Sequence, residues 1–340
     1  MTSLLLAAAL APAAYQWTPG TTASYDVAVV FDGFLPILGG NTGKAEVAMT
    51  VKVDGVTAEA ETQSASSEMT AFEIKFNGFP LPLALEDAQG YFPKTTVQMT
   101  PFGKITKSDA PDIALPVRLP GLDVKRFPDI TYLPIELPAN GWEKGQKWEF
   151  TKAFGDSDMS YSCETVELTG EVATVDVTVK QDYTVLENDA LEVVKDEKDA
   201  VSKVNTALRG TGKIQFHVGK GRVIKVEMKN NSTSAVMNIK SGNSSGERKL
   251  TSQLTVVDKA LQASLGTSGG TKPAPKAAAR PSAPQWLSNA WNTAVQTGQT
   301  WWEKGAGMLA MARMMLSFLG ASVPGFAPIQ GILGGGTTRS

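Results

Sequence analysis

Apolar residues in this chain recur at every second position over one stretch after another, and that period is the tightest limit on its fold. Tyr25, Val27, Val29 and Phe31 share one parity, as do Ala45, Val47, Met49, Val51 and Val53. Phe72, Ile74 and Phe76 repeat the pattern, then Thr95, Val97 and Met99. Longer runs follow: Ala173 to Val185, and Val204 to Val218 through Thr206, Leu208, Gly210, Gly212, Ile214 and Phe216. Successive side chains of a strand point to opposite faces, so this period marks antiparallel sheet with one dry face and one wet face. Val223 to Met228, Ala235 to Ile239 and Leu250 to Val257 add further strands. The chain is therefore expected to be mainly β.

Turn chemistry divides the strands. Asp54-Gly55, with alternation on both sides, predicts a hairpin turn. Asn77-Gly78 and Gly219-Lys220-Gly221 predict two more. Gly210 and Gly212 sit on the inward parity, where a sheet needs a bend or a close approach. Between 107 and 141 stand Pro111, Pro116, Pro120, Pro128, Pro134 and Pro138. Proline has no backbone N–H to give a ladder, so this stretch reads as an extended connector crossing the surface. It separates two tandem antiparallel curved-sheet halves, half-barrel-like, over residues 15–106 and 142–264. The run from Val97 to Lys107 and that from Ile214 to Lys225 share a plan of alternating strand and glycine turn, which reads as a pseudo-repeat.

The two ends differ from this body. Residues 1–14 form a short apolar run ending in Ala11-Pro12-Ala13, the pattern of a signal peptide, which makes the protein exported and periplasmic or cell-envelope associated. Residues 265–284 are a Gly/Ser/Ala/Pro linker. Residues 285–320 carry a seven-residue rhythm that predicts a tethered amphipathic helix, and 321–340 a Gly-rich tail. Val295, Trp301, Trp302, Met308, Leu309, Met315 and Leu316 make its apolar contact stripe, beside Gly298, Gly305 and Ala312. That stripe suits docking on the β domain, a membrane surface, or self-association.

Catalytic chemistry is scarce. A net charge of −2 gives no basic field for nucleic acid. With one cysteine, Cys163, and one histidine, His217, there is no intramolecular disulfide and no His/Cys metal site. His217 falls on the parity of Lys213 and Gln215, which places it on the wet face. Cys163 reads as a small strand residue. Asp156 with Asp158, and Asp196-Glu197 with Asp199, read as solvated loops. Gly210-Thr211-Gly212-Lys213 imitates a phosphate loop but lies within a strand pattern. Asn230, Asn231 and Asn243 begin glycosylation tripeptides and read as polar turns. No catalytic, cofactor-binding or metal residue is assigned, and no cofactor.

The stretch Leu133-Pro-Ile-Glu-Leu-Pro-Ala-Asn-Gly141-Trp142-Glu-Lys-Gly145-Gln-Lys-Trp148-Glu-Phe resembles a proline-rich Gly-x-x-Trp motif of uncharacterised bacterial envelope proteins and lipoproteins. The strand Gly210-x-Gly212-x-Ile214-x-Phe216 with its glycine turn is similar too. The resemblance covers about residues 130 to 230. It implies an architecture like that of curved-sheet lipoprotein carriers, which hold acyl chains in an open β half-barrel. This chain lacks their lipobox cysteine and adds the C-terminal tether, and no functional residue carries over. The expected function is a non-catalytic envelope protein that binds an apolar, lipid-like ligand or a protein partner on a curved sheet. The alternatives are a structural or assembly protein acting through the C-terminal helix, and a carboxylate-dependent hydrolase.

Overall fold

The computed structural model describes residues 14–36, 40–81, 84–91, 93–110, 135–154 and 157–266. The signal-peptide run, most of the proline-rich connector, the linker past Gly266, the amphipathic helix with its contact stripe, and the tail lie outside the described residues.

Thirteen strands build one open antiparallel sheet. In chain order they are β1 (Thr22–Leu35), β2 (Asn41–Ala58), β3 (Gln63–Phe76), β4 (Phe79–Pro80), β5 (Thr95–Met99), β6 (Ile105–Ser108), β7 (Lys147–Phe154), β8 (Ser157–Thr169), β9 (Val172–Glu187), β10 (Val193–Val194), β11 (Ser202–His217), β12 (Arg222–Asn238) and β13 (Ser244–Asp258). Their spatial order is β6-β5-β3-β2-β1-β13-β12-β11-β9-β8-β7, with β4 on β3 and β10 on β9. The N-terminal strands occupy one side and the C-terminal strands the other. They join where β1 pairs with β13, from Tyr25 opposite Asp258 to Gly33 opposite Leu250. Two short helices, α1 (Leu85–Tyr91) and α2 (Lys259–Gly266), accompany the sheet. Asp258 caps α2, its Oδ1 accepting the Leu261 N–H at 2.9 Å.

The period-two reading holds through most strands. In β9 and β11 every second residue is buried, from Ala173 to Glu187 and from Val204 to Gly210. Asn77-Gly78 makes the expected tight turn, both residues at positive φ (48° and 83°). Gly210 and Gly212 serve close approach: a Cβ on either would overlap β12, at Asn230 and at Met228.

Three expectations fail for identifiable reasons. Asp54-Gly55 does not turn the chain, because β2 runs straight through it to Ala58. Gly55 donates its N–H to Thr21 O at 2.8 Å, and a Cβ there would collide with Thr18 O. The glycine admits a crossing backbone, and the reversal comes four residues later, where Glu59 N–H reaches Thr62 O at 2.7 Å. Asn230 and Asn231 are not in turns but in the middle of β12, with Asn230 buried; of the three only Asn243 lies in the loop between β12 and β13. Finally, the described end of the proline-rich connector does not cross the surface, because Ile135, Leu137 and the following Trp142 are buried.

That buried end is half of a plug. Residues 14–21 form a strap across one end of the sheet, where the β5–β6 and β11–β12 turns lie. Tyr15 N–H donates to Pro101 O (2.8 Å) in the first turn, and Gln16 N–H to Gly221 O (3.0 Å) in the second. The Tyr15 hydroxyl donates to Ile135 O (2.9 Å), and Leu137 N–H to Phe102 O (2.8 Å). Gln63 grips the strap from β3, its Oε1 accepting Trp17 N–H (2.7 Å) and its Nε2 donating to Tyr15 O (3.0 Å). The ring of Phe216 packs edge-on to Tyr15 at 5.2 Å and tilted against Trp142 at 5.3 Å. The two glycine turns of the pseudo-repeat thus hold one strap between them.

Trp17 is wholly buried in this plug. Trp17→Ala should cost about 3–5 kcal/mol, read as a lower urea midpoint at unchanged slope. Phe79→Ala, at a side chain 74% exposed, should move the midpoint by no more than about 0.5 kcal/mol.

Candidate functional site: the dry face of the sheet

Register aligns the dry-face residues into rows across the strands. Just inside Phe216, Ala173 and Val223 at the strap end, Val175, Ile214, Val226, Val256 and Val27 stand side by side, all buried. The next row is Val177, Gly212, Met228, Leu254 and Val29. Burying a side chain of this kind is worth about 1.5–3 kcal/mol, so these rows are a large part of what holds the strands together.

Farther along the strands the chemistry changes. The third row is Val179, Gly210, Asn230, Ser252 and Phe31, and the fourth Gln181, Leu208, Ser232, Leu250 and Gly33. The fifth brings Tyr183, Thr206, Ser234 and Arg248 together. Buried polar groups must find partners, and most do. The Thr206 and Ser234 hydroxyls are 2.8 Å apart. Asn230 Nδ2 donates to Ser252 Oγ (3.2 Å), and Ser232 Oγ to Leu250 O (3.1 Å). Asn230 Oδ1 has no partner among the described residues. It occupies the space that the absent Gly210 side chain leaves. Beyond this polar zone Tyr183, Val185, Val204 and Val236 form a second apolar cluster.

A buried ion pair closes that end. Arg248 Nη1 lies 2.6 Å from Glu187 Oε2, and the guanidinium stacks over the Phe34 ring at 4.4 Å. A cavity of about 30 Å³ sits among Thr206, Ser232, Ser234, Arg248 and Leu250, enough for a water or two and far too small for an acyl chain. A larger hollow, about 610 Å³, surrounds Gly212. Most of its lining residues belong to the wet-face parity, among them the exposed Lys213–Asp176 pair at 2.5 Å. It is shallow and charged.

Sequence reasoning misplaced His217. It ends β11 on the parity of Lys213 and Gln215, as expected, yet it is buried, because the turn that follows folds over it. Its Nδ1 accepts the Lys220 N–H at 3.3 Å, and its Nε2 lies 3.6 Å from Glu171 Oε2. It stands at the strap end, nine residues from Leu208 and so about 30 Å from the Ser232 row at ~3.3 Å per residue. The dry-face hydroxyls therefore have no imidazole within reach. Cys163 is a buried β8 residue as expected, and burial pushes its thiol up to about 12. Asp196, Glu197 and Asp199 lie exposed in a short turn. Asp156 is outside the described residues, and Asp158 is exposed on β8. Gly210 to Lys213 is strand, as its pattern said. Among the described residues no His, Cys, Asp or Glu group is arranged to hold a metal ion. None of their helices is long and apolar enough to cross a membrane.

The polar rows themselves were not foreseen. Ala235 and Met237 carry the apolar parity of that stretch in sequence, yet Ala235 is exposed and Ser232, Ser234 and Val236 point inward. The legible clue was Val204 to Phe216 on β11, whose partner residues across the ladder must share its face.

Two measurements follow. Arg248→Met should lose about 3–5 kcal/mol by stranding Glu187, whereas Arg248→Met with Glu187→Met should recover most of it, read by urea denaturation. Cys163 should stay unlabelled by a disulfide reagent at pH 8 in native protein and react at once in urea, since only the thiolate attacks.

No family model matches this chain, and no curated protein matches it. Among solved structures, one described as lipid–protein interactions in lipovitellin is similar, with a TM-score of 0.45 and 13% identity. The match covers 78% of this chain and 27% of that one, so the chain spans about a quarter of its length.

Proposed function

We propose that this is a non-catalytic binding protein that holds an apolar, lipid-like ligand against the dry face of its sheet. The observation that carries this reading is the face itself: rows of valine, isoleucine and leucine contributed by five adjacent strands, followed by a hydrogen-bonded polar zone. An amphiphile lying along the strands would meet an apolar stretch and a polar stretch in turn. The third alternative, a carboxylate hydrolase, needs two facing acids. The buried carboxylates among the described residues are Glu187, paired with Arg248, and Asp258, capping α2, and they stand at opposite ends of the strands.

Export belongs to the same proposal. The buried body begins at Tyr15, directly after the apolar run and its small-residue site, so processing near Ala14 leaves the strap intact. The 30 Å³ cavity admits no acyl chain, so loading is coupled to an opening of the face.

The test is native mass spectrometry of the exported protein, with titration by a fluorescent fatty-acid probe. Apolar species should co-purify. Val185→Ser with Val204→Ser should weaken probe binding at least about tenfold, since each lost contact is worth more than 1 kcal/mol, while circular dichroism stays that of the sheet. Bare protein that takes up no probe between pH 5 and 8 would sink the reading.

A further inference from the structure

The strap is held by few bonds, and one of its two glycine turns is built around the single histidine of the chain. His217, Val218 and Gly221 fold into a tight reversal: Gly221 N–H donates to Val218 O (3.3 Å), and Lys220 N–H to His217 Nδ1 (3.3 Å). Gly221, at φ 57°, presents its carbonyl to Gln16 N–H. A Cβ there would run into Gln16 and Ala14, so the turn backbone lies flat against the strap. The conformation that accepts the strap is thus the one in which His217 Nδ1 is an acceptor. A protonated imidazole donates from both nitrogens and cannot accept that bond.

We propose that the turn from His217 to Arg222 is a pH-operated catch, and that protonation of His217 releases residues 14–21 from the end of the dry face. The groups facing the ring can be followed element by element. From the β8–β9 turn comes Glu171, the only acid facing it among the described residues, with a largely exposed carboxylate. From its own turn and the start of β12 come two cations, Lys220 and Arg222. From β9 the register partner is Val172. The strap brings no acid: its only titratable side chain is Tyr15, whose hydroxyl burial keeps protonated.

The sign follows from these surroundings. Burial lowers the imidazole below its ordinary range, Glu171 works against this, and Lys220 and Arg222 add to it. The closed turn therefore binds a proton less readily than the released one. Closure is fully favoured above the ordinary imidazole value of about 6.5. It weakens as pH falls below that value and levels off once the closed-state imidazole is itself protonated. Release would uncover Trp17 and the first apolar row, Val27, Val175, Ile214, Val226 and Val256. The catch is independent of the lipid reading, because it needs no ligand to operate.

Hydrogen exchange read by mass spectrometry on the full chain without ligand tests it, with rates corrected for the intrinsic pH dependence of exchange. In wild type, protection of the peptide spanning residues 14–21 should fall at least about tenfold between pH 7.5 and 5.0, with β9 and β11 unchanged. In His217→Gln, which stays neutral, it should hold steady. Glu171→Gln, an exposed change that leaves folding intact, removes the one group that raises the closed-state imidazole, so it should deepen the loss of protection at pH 5.0 relative to wild type, and it carries the test if the histidine variant does not fold. Wild-type protection that persists to pH 5.0, a His217→Gln strap that loosens in step with wild type, or a Glu171→Gln strap that loses no more protection at pH 5.0 than wild type would each overturn the catch. Failure of lipid uptake with an intact pH response would leave the catch standing and remove only the ligand.

Discussion

The pairing of β1 with β13 turns two runs of strands into one sheet. Tyr25 faces Asp258 across it, two residues more than 230 positions apart. Loop-closure entropy grows only with the logarithm of separation, so the ladder and the apolar rows that cross it can offset so distant a contact. What they gain is continuity. The dry face runs from Val29 on β1 through Leu254, Met228 and Gly212 to Val177 without an intervening edge. Without the seam, β1 and β13 would each present an unpaired row of backbone groups beside an apolar surface, the arrangement most prone to unwanted pairing.

Much of this was legible in the residues, and where it was not the cause is physical. Strand after strand declared itself by period, because a one-sided sheet forces alternation on any sequence that makes it. Asn77-Gly78 announced its turn because both residues must take positive φ. Asp54-Gly55 announced a turn it does not make. The same missing Cβ that permits a turn also permits a backbone to cross, and only the strap, far away in sequence, decides between them. His217 shows the limit of parity from the other side. It keeps the outward parity of Lys213 and Gln215, but the turn after it folds back and buries it, and parity says nothing about what a turn will cover. The polar rows escaped because serine and asparagine carry no apolar signal. Their inward direction is set by the strand they pair with.

Those polar rows carry a physical implication of their own. A dry face filled with aliphatic side chains alone would be more stable than one holding Asn230, Ser232, Ser234, Ser252 and Thr206, since each buried polar atom gives up water for at most one or two protein bonds. Most of these groups satisfy one another, so their cost is modest. Asn230 Oδ1 is the exception, and an amide rotated by half a turn would only exchange which of its ends is unpaired. Under the proposed function the zone would have a use, since an amphiphile lying along the strands would meet an apolar and then a polar stretch of one face.

The strap gives the same face a defined end. Tyr15, Trp17, Ile135, Leu137 and Trp142 fill it with large side chains, and the backbone bonds that seat them come from the β5–β6 and β11–β12 turns. These two turns belong to opposite sides of the sheet, so the strap is a second tie between the halves beside the seam. The ties differ in kind. The seam is a nine-residue ladder, and opening it would break the sheet. The strap rests on a few single hydrogen bonds and on buried rings, each of which can let go locally. Under the proposed function, the ladder would stay closed while the lighter contact opens to admit a ligand. In this chain the lighter contact is the one built against the histidine.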